Sequence, residues 1–133
     1  MSCEPDQTRR ILIVDDEEDI REVAQVSLEV VAGWRVLTAS CGADGVEVAL
    51  DTRPDAILLD VMMPGWDGPT TFEHLQAQPT TKSLPVIFLT ASVQTANRQT
   101  LLELRPAGIL AKPFDPMTLA RSVADILGWA GQG

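Results

Sequence analysis

The sequence predicts an α/β domain in which a central parallel sheet carries helices on both faces. Three observations lead there. Short, wholly apolar runs recur at residues 11–14, 56–59 and 86–89 of the 133-residue chain, and strands apolar on both sides are those buried between two helical layers. The stretches between the runs have helical periodicity. Strand and helix alternate five times, which favours β-α units over hairpins.

The elements follow in order along the chain. Residues 1–9 are polar and expected to be disordered, ahead of a single domain over 10–130 and a short tail, 131–133. The first strand begins at Arg10 or Ile11 and ends at Val14. From Glu17 the pattern turns helical, with Ile20, Val23, Ala24, Ser27, Leu28 and Val31 on one face and Gly33 as the stop. Glu17, Glu18 and Asp19 suit the positive end of the helix dipole. Residues 36–39 form the second strand, and Ala43, Val46, Ala49 and Leu50 the buried stripe of a helix ended by Arg53-Pro54. The third strand, 56–59, leads into a Pro- and Gly-rich loop over 61–68. Pro69 suits the first turn of a helix carrying Phe72 and Leu75, closed by Pro79. Pro85 admits the fourth strand, 86–89, followed by a weaker helix over 95–104 and the fifth strand, 108–111. Asp115-Pro116 reads as the N-cap and first position of a last helix, with Leu119, Val123, Ile126 and Leu127 inward and Gly128 at its end.

Composition narrows the function. With 19 acidic against 10 basic residues, a formal charge of −9 and a pI near 4.4, the chain repels nucleic acid and anionic lipid. A basic partner surface or a bound cation suits it better. Cys3 and Cys41 have no disulfide-scaffold or CxxC spacing and read as free thiols in a reducing compartment. No stretch is long enough for a membrane span, and the four apolar residues after Arg9-Arg10 are too few for a signal peptide.

Residues able to handle a phosphoryl group follow four of the five strands: Asp15-Asp16, Asp60, Thr90 and Lys112-Pro113. In an open parallel sheet these ends share the edge at which such folds bind ligands. Singly, an acidic pair there is a loop or capping device, and an Asp, Thr or Lys a solvated side chain. Their conjunction points to a site. Three carboxylates in one pocket either raise one another's pKa or share a cation. Oxygen ligands without His or Cys favour Mg²⁺ or Mn²⁺ over zinc. Asp60 is placed as a nucleophile that takes a phosphoryl group as an acyl phosphate, its charge balanced by metal and by Lys112. Thr90 would donate its hydroxyl to a phosphoryl oxygen and so sense its arrival.

Over roughly residues 10–128 the chain closely resembles the receiver domain of bacterial two-component response regulators. The resemblance rests on Ile13-Val14-Asp15-Asp16-Glu17, Asp60-Val61-Met62-Met63-Pro64-Gly65 with Asp67-Gly68, Thr90-Ala91 and Lys112-Pro113-Phe114. It implies a flavodoxin-like (βα)5 fold with strand order 2-1-3-4-5, as in the chemotaxis regulators. It also implies that Asp60 accepts a phosphoryl group from a sensor histidine kinase or a histidine phosphotransfer protein. Asp16, Asp60 and the backbone carbonyl of Met62 would ligate Mg²⁺, with Asp15 acting through water. Lys112 would pair with the phosphoryl group, and the Lys112-Pro113 bond would be cis. The protein expected from this is a cytoplasmic signalling phosphoacceptor rather than an enzyme, standing alone and switching a partner-binding surface, with no direct DNA binding and no membrane insertion.

Other readings fit less well. An Asp-nucleophile phosphohydrolase needs an acid-base residue two positions after the nucleophile, where Met62 stands. A scaffold that is never phosphorylated would lack a site residue, and none is missing. A flavin module needs hydroxyls and backbone donors in the loop after the first strand, which here is acidic. Gly42, Gly45, Gly65 and Gly68 make no GxxxxGK pattern. His74 reads as an exposed structural residue, Trp34 and Trp129 as packing at element ends, and Phe114 as packing under the last helix. Trp66 and Met63 suit either packing or a partner contact. Met62 and Ser92, two positions after Asp60 and Thr90, are poor at orienting water, so slow self-dephosphorylation is expected. One position departs from the family. Ile109 stands three residues before the lysine, where the family often has an aromatic side chain that moves inward on activation.

Overall fold

The computed structural model describes residues 9–91 and 95–129. The N-terminal segment up to residue 8, Cys3, Ser92 and the tail 131–133 lie outside the described residues. Five strands, β1 (Arg10–Val14), β2 (Arg35–Ala39), β3 (Ala56–Asp60), β4 (Val86–Thr90) and β5 (Gly108–Ala111), form one parallel sheet. Their order is β2-β1-β3-β4-β5, the flavodoxin-like arrangement expected. The helices are α1 (Glu18–Ser27), α2 (Gly42–Thr52), α3 (Gly68–Gln76), α4 (Pro79–Lys82), α5 (Thr95–Glu103) and α6 (Leu119–Leu127), and a π-turn (Leu28–Ala32) extends α1.

The central strands read as unbroken apolar runs because each feeds two cores. On one face Leu12, Val14, Ile57, Leu59 and Phe88 pack with Val46 and Ala49 of α2 and Phe72 and Leu75 of α3. On the other, Ile11, Ile13, Leu58, Ile87 and Leu89 meet Ala24, Leu28, Leu119 and Val123 from α1, the π-turn and α6. Each fully buried aliphatic side chain contributes roughly 1.5–3 kcal/mol, so these layers fix the sheet edge on which the polar residues stand. Gly45 lets α2 sit close on β1: a β-carbon there would lie 2.7 Å from Val14 Cγ2.

Four details differ from expectation. The stripe of α1 is narrower than its periodicity suggests, because Val23 lies at its flank and is exposed. The wider π-turn then resets the phase, burying Leu28 and turning Val30 and Val31 outward before Gly33 ends the segment at φ 72°. Together Val23, Val26, Val30, Val31, Pro116 and Met117 line a groove of about 440 Å³. Ala43, expected in the α2 stripe, is exposed in the first turn of that helix. Pro79 does not close α3, which ends at Gln76, but opens the separate short α4. Asp115-Pro116 does not start the last helix: Asp115 Oδ1 accepts from the Met117 amide at 2.9 Å, the turn continues, and Thr118 is the N-cap.

The aromatic residues pack. Trp34 and Trp129 meet edge to face at 5.2 Å and 87°, with Arg9 4.4 Å from the Trp129 ring centre. Phe114 packs against the core that includes α6. Met63 is buried, and Trp66 stacks on exposed His74 at 3.7 Å and 4°. Cys41 is a free thiol. Among the described residues no helix is long and apolar enough to cross a membrane.

Candidate functional site

The polar residues stand where β1, β3, β4 and β5 end, and the sheet register brings those ends together. Leu59 pairs with Val14 and Phe88, Asp60 with Leu89, and Thr90 with Ala111. Asp15 follows β1 directly, anchored by its amide on the Ala39 carbonyl at 3.1 Å and fully buried. Its Oδ1 accepts from the Glu17 amide at 2.9 Å, and its carbonyl accepts from Arg21 at 2.7 Å. Asp16 is exposed beside it. Asp60 closes β3 with only 3% of its surface exposed, and its Oδ1 accepts weakly from the Met62 amide at 3.4 Å. Thr90 closes β4 and is buried, and its carbonyl accepts from the Lys112 amide at 2.9 Å. That bond ties the lysine to the same edge, and the Lys112-Pro113 peptide is cis.

The Lys112 ammonium gathers three carboxylates: Asp15 Oδ2 at 3.0 Å, Glu17 Oε1 at 3.1 Å and Asp60 Oδ1 at 3.2 Å. Burial alone would lower the lysine's pKa. The close carboxylates of Asp15 and Glu17, together with the charges of Asp15 and Asp60, outweigh that and hold it above its ordinary value. Asp60 shows the opposite balance. Burial first, and the Asp15 charge second, push its carboxyl up to about 6, despite the opposing pull of Lys112.

Whether a cation fits can be judged from the atoms present. Carboxylate oxygens of Asp15, Asp16 and Asp60 lie within 4.8 Å of one another. Asp15 Oδ2 is buried and, although near Lys112, lacks the alignment of a hydrogen bond, so it is an orphaned acceptor. Hard oxygen donors with one buried lone pair unsatisfied suit a hard divalent ion. Met62 offers only its main chain here, because its side chain is 76% exposed.

Thus the structure assembles all five side chains expected at the site, Asp15, Asp16, Asp60, Thr90 and Lys112. Two contributors were read differently or passed over. Glu17, assigned to the helix dipole, makes no capping bond and instead reaches Lys112. Gly68 allows the loop after β3 to fold back, its amide donating to the Val61 carbonyl at 2.9 Å. A β-carbon there would stand 2.7 Å from the Asp60 carbonyl oxygen. The Asp67-Gly68 pair was the available signal for it. His74 stays on α3, stacked on Trp66, and Ile109 is half-buried against the α2–α3 core.

Comparison with known proteins agrees with this geometry. Residues 11–124 match the family model of the response regulator receiver domain. The phosphate regulon transcriptional regulatory protein PhoB of Pseudomonas aeruginosa is 38% identical over 94% of this chain and 54% of its own length. The alkaline phosphatase synthesis transcriptional regulatory protein PhoP of Bacillus subtilis is 37% identical over 90% of the chain and 48% of its own length. The chain therefore spans about half the length of these curated relatives. Among solved structures, the chemotaxis response regulator CheY4 of Vibrio cholerae superimposes with TM-score 0.84 at 30% identity, covering 90% of this chain and 99% of that one. The receiver domain of the Pseudomonas aeruginosa sensor histidine kinase PA1611, with a magnesium ion in its active-site cleft, does so with TM-score 0.81 at 31% identity, covering 91% and 98%.

Proposed function

The chain belongs to the response regulator receiver family of two-component signalling, and from that membership we propose that Asp60 is its phosphoacceptor. The observation that carries this is Asp60 itself, a buried carboxylate at a strand end with an ammonium 3.2 Å away. A phosphoryl group would leave the imidazole nitrogen of a phosphohistidine, on a sensor histidine kinase or a histidine phosphotransfer protein, and bond to an Asp60 oxygen. The nitrogen keeps the electron pair and takes a proton from solvent. Asp15, Asp16, Asp60 and the Met62 carbonyl would hold Mg²⁺ (or Mn²⁺), which when bound neutralises charge on the transferring group. Lys112 pairs with the phosphoryl group from the other side, and the Thr90 hydroxyl donates to it and so couples it to the segment after β4.

On this reading the chain works in the cytoplasm, where such donors act, and it catalyses only its own phosphorylation and slow dephosphorylation. Its output is a changed binding surface, with no direct contact to DNA. The groove between α1 and the segment before α6 supports docking of a helical donor. Its valines are exposed along α1 and the turn that extends it, and the Ser27 hydroxyl ties α1 to the Pro116 carbonyl.

Labelling with acetyl phosphate and Mg²⁺ tests the assignment. Wild type should take up label and Asp60→Asn should not; label at wild-type level in the variant refutes it. In the same experiment Met62→Asn, which supplies an amide able to orient water, should shed label faster than wild type.

A further inference from the structure

We propose that Arg21 is a positioning residue for the metal site: by holding the carbonyl of the Asp15–Asp16 peptide it fixes the directions of the two carboxylates on either side of that peptide. The inference rests on the metal-site reading above.

The two acids are neighbours in sequence and serve one pocket, which a strand does not allow. Successive side chains of a strand point to opposite faces, yet carboxylate oxygens of Asp15, Asp16 and Asp60 lie within 4.8 Å of one another. The chain meets this by leaving β1 after Val14 and bending at Asp16, so that Asp15 is fully buried and Asp16 exposed beside it. Before the bend the Asp15 amide donates to the Ala39 carbonyl at 3.1 Å, and after it the Glu17 amide donates to Asp15 Oδ1 at 2.9 Å. The peptide joining the two acids lies between those anchors, and its carbonyl accepts from the Arg21 guanidinium at 2.7 Å. Rotation of that peptide changes ψ of Asp15 against φ of Asp16, and so turns one carboxylate relative to the other.

The donor suits this task. Arg21 stands one turn into α1, its amide bonded to the Glu17 carbonyl at 3.1 Å, so the side chain starts from a fixed point and folds back over the bend. A guanidinium is planar, with its donors in a rigid fork. Its bond falls on the main chain and withdraws no carboxylate oxygen from a cation. Arg21 also lines an open cleft of about 340 Å³ with Thr38, Ser40, Asp44 and Glu47. Water from that cleft can satisfy the carbonyl when the side chain is shortened, which spares the fold, but a water does not hold a direction.

Charge and position predict opposite signs. Losing a cation beside three carboxylates favours another cation by charge alone, whereas losing the brace weakens binding. The experiment is a Mg²⁺ titration of the full chain after chelator treatment, read by amide chemical shifts. Arg21→Met should raise the Mg²⁺ dissociation constant about tenfold, the low end for loss of a group that orients a metal ligand. Arg21→Lys keeps a donor and the charge, and should fall between Arg21→Met and wild type. Arg10→Met is the control: Arg10 also donates to a main-chain carbonyl, that of Arg53 at 3.0 Å, but at the start of β1, and its loss should leave the constant near the wild-type value. Unchanged or tighter binding in Arg21→Met overturns the proposal and leaves Arg21 a packing residue. So does an equal loss in Arg10→Met, which would reduce the effect to general loosening, or an Arg21→Lys that binds no better than Arg21→Met. If Arg21→Met does not fold, Arg21→Gln, uncharged and on a shorter arm, carries the same expectation and the same refutation. Failure of the parent reading looks different: wild type itself would then show no saturable Mg²⁺ binding, or Asp16→Asn and Asp60→Asn would both bind as wild type does, and the role of Arg21 falls with it.

Discussion

At Asp60 burial and a neighbouring charge work against ionisation, while Lys112 and, more weakly, the Met62 amide work for it. The carboxyl titrates near 6 in the folded chain against an ordinary value of 3.8, so folding favours its protonated form. The stability linked to it is fully present below 3.8 and lost as pH rises through about 6. In chelator, wild type should therefore lose stability relative to Asp60→Asn between pH 4 and pH 7. The difference should reach on the order of 3 kcal/mol, and parallel melting curves for the two proteins would contradict it. At this scale much was legible in the sequence. Asp15, Asp60, Thr90 and Lys112 each follow an apolar run, and a side chain at the end of a buried parallel strand has one direction to go. The part played by Glu17 was not legible, because its partner lies 95 positions away and nothing local distinguishes it from the acidic residues that follow.

Among the elements, the strands were the most readable and the helix starts the least. A strand buried on both faces leaves an unbroken apolar signal, and β1, β3, β4 and β5 fall within a residue of where that signal places them. The start of α6 was misplaced because the Asp115 side chain bonds the Met117 amide at 2.9 Å, satisfying in a turn the same group it would satisfy as a cap. The π-turn after α1 was invisible for another reason: reading a stripe at 3.6 residues assumes constant pitch, and one wider turn moves every later side chain round the axis. That turn leaves Val30 and Val31 uncovered in the same groove that Val26 lines. Val26→Lys, on α1 at the groove, should slow phosphotransfer from a phosphohistidine donor at least about fivefold, the loss typical of a contributing interface residue. Labelling by acetyl phosphate should stay at the wild-type level. Equal effects on both donors would place the fault in the site rather than in docking. Ile109 belongs to this scale as well. Half-buried against the α2–α3 core, a β-branched side chain has few rotamers to exchange, so Ile109 makes a poor stand-in for an inward-swinging ring.

For the molecule as a whole, the concentration of negative charge at one edge sets the response to metal. The net charge is −9, and three of the carboxylates responsible crowd within 4.8 Å. A divalent ion relieves that repulsion only in the folded state, because unfolding disperses its ligands. Free Mg²⁺ at 100 times its dissociation constant should stabilise the fold by about 2.7 kcal/mol, a melting shift of roughly 10 °C for a domain of this size. Asp16→Asn should lose most of the shift, and a shift of equal size in that variant would remove Asp16 from the ligand set.

The stacking of Trp66 on His74 gives the protein a built-in optical gauge. Trp34 and Trp129 sit together against the α1–α6 core, whereas the Trp66 indole lies in the loop that directly follows Asp60, its ring parallel to the imidazole at 3.7 Å. Indole emission depends on what lies against the ring. A variant with Trp34 and Trp129 replaced by Phe would glow from this loop alone, and adding beryllofluoride should change its intensity or colour without any attached dye. A constant emission under saturating mimic would mean that the loop after β3 rides through the switch as a rigid strut, leaving the segment after β4 to carry the motion.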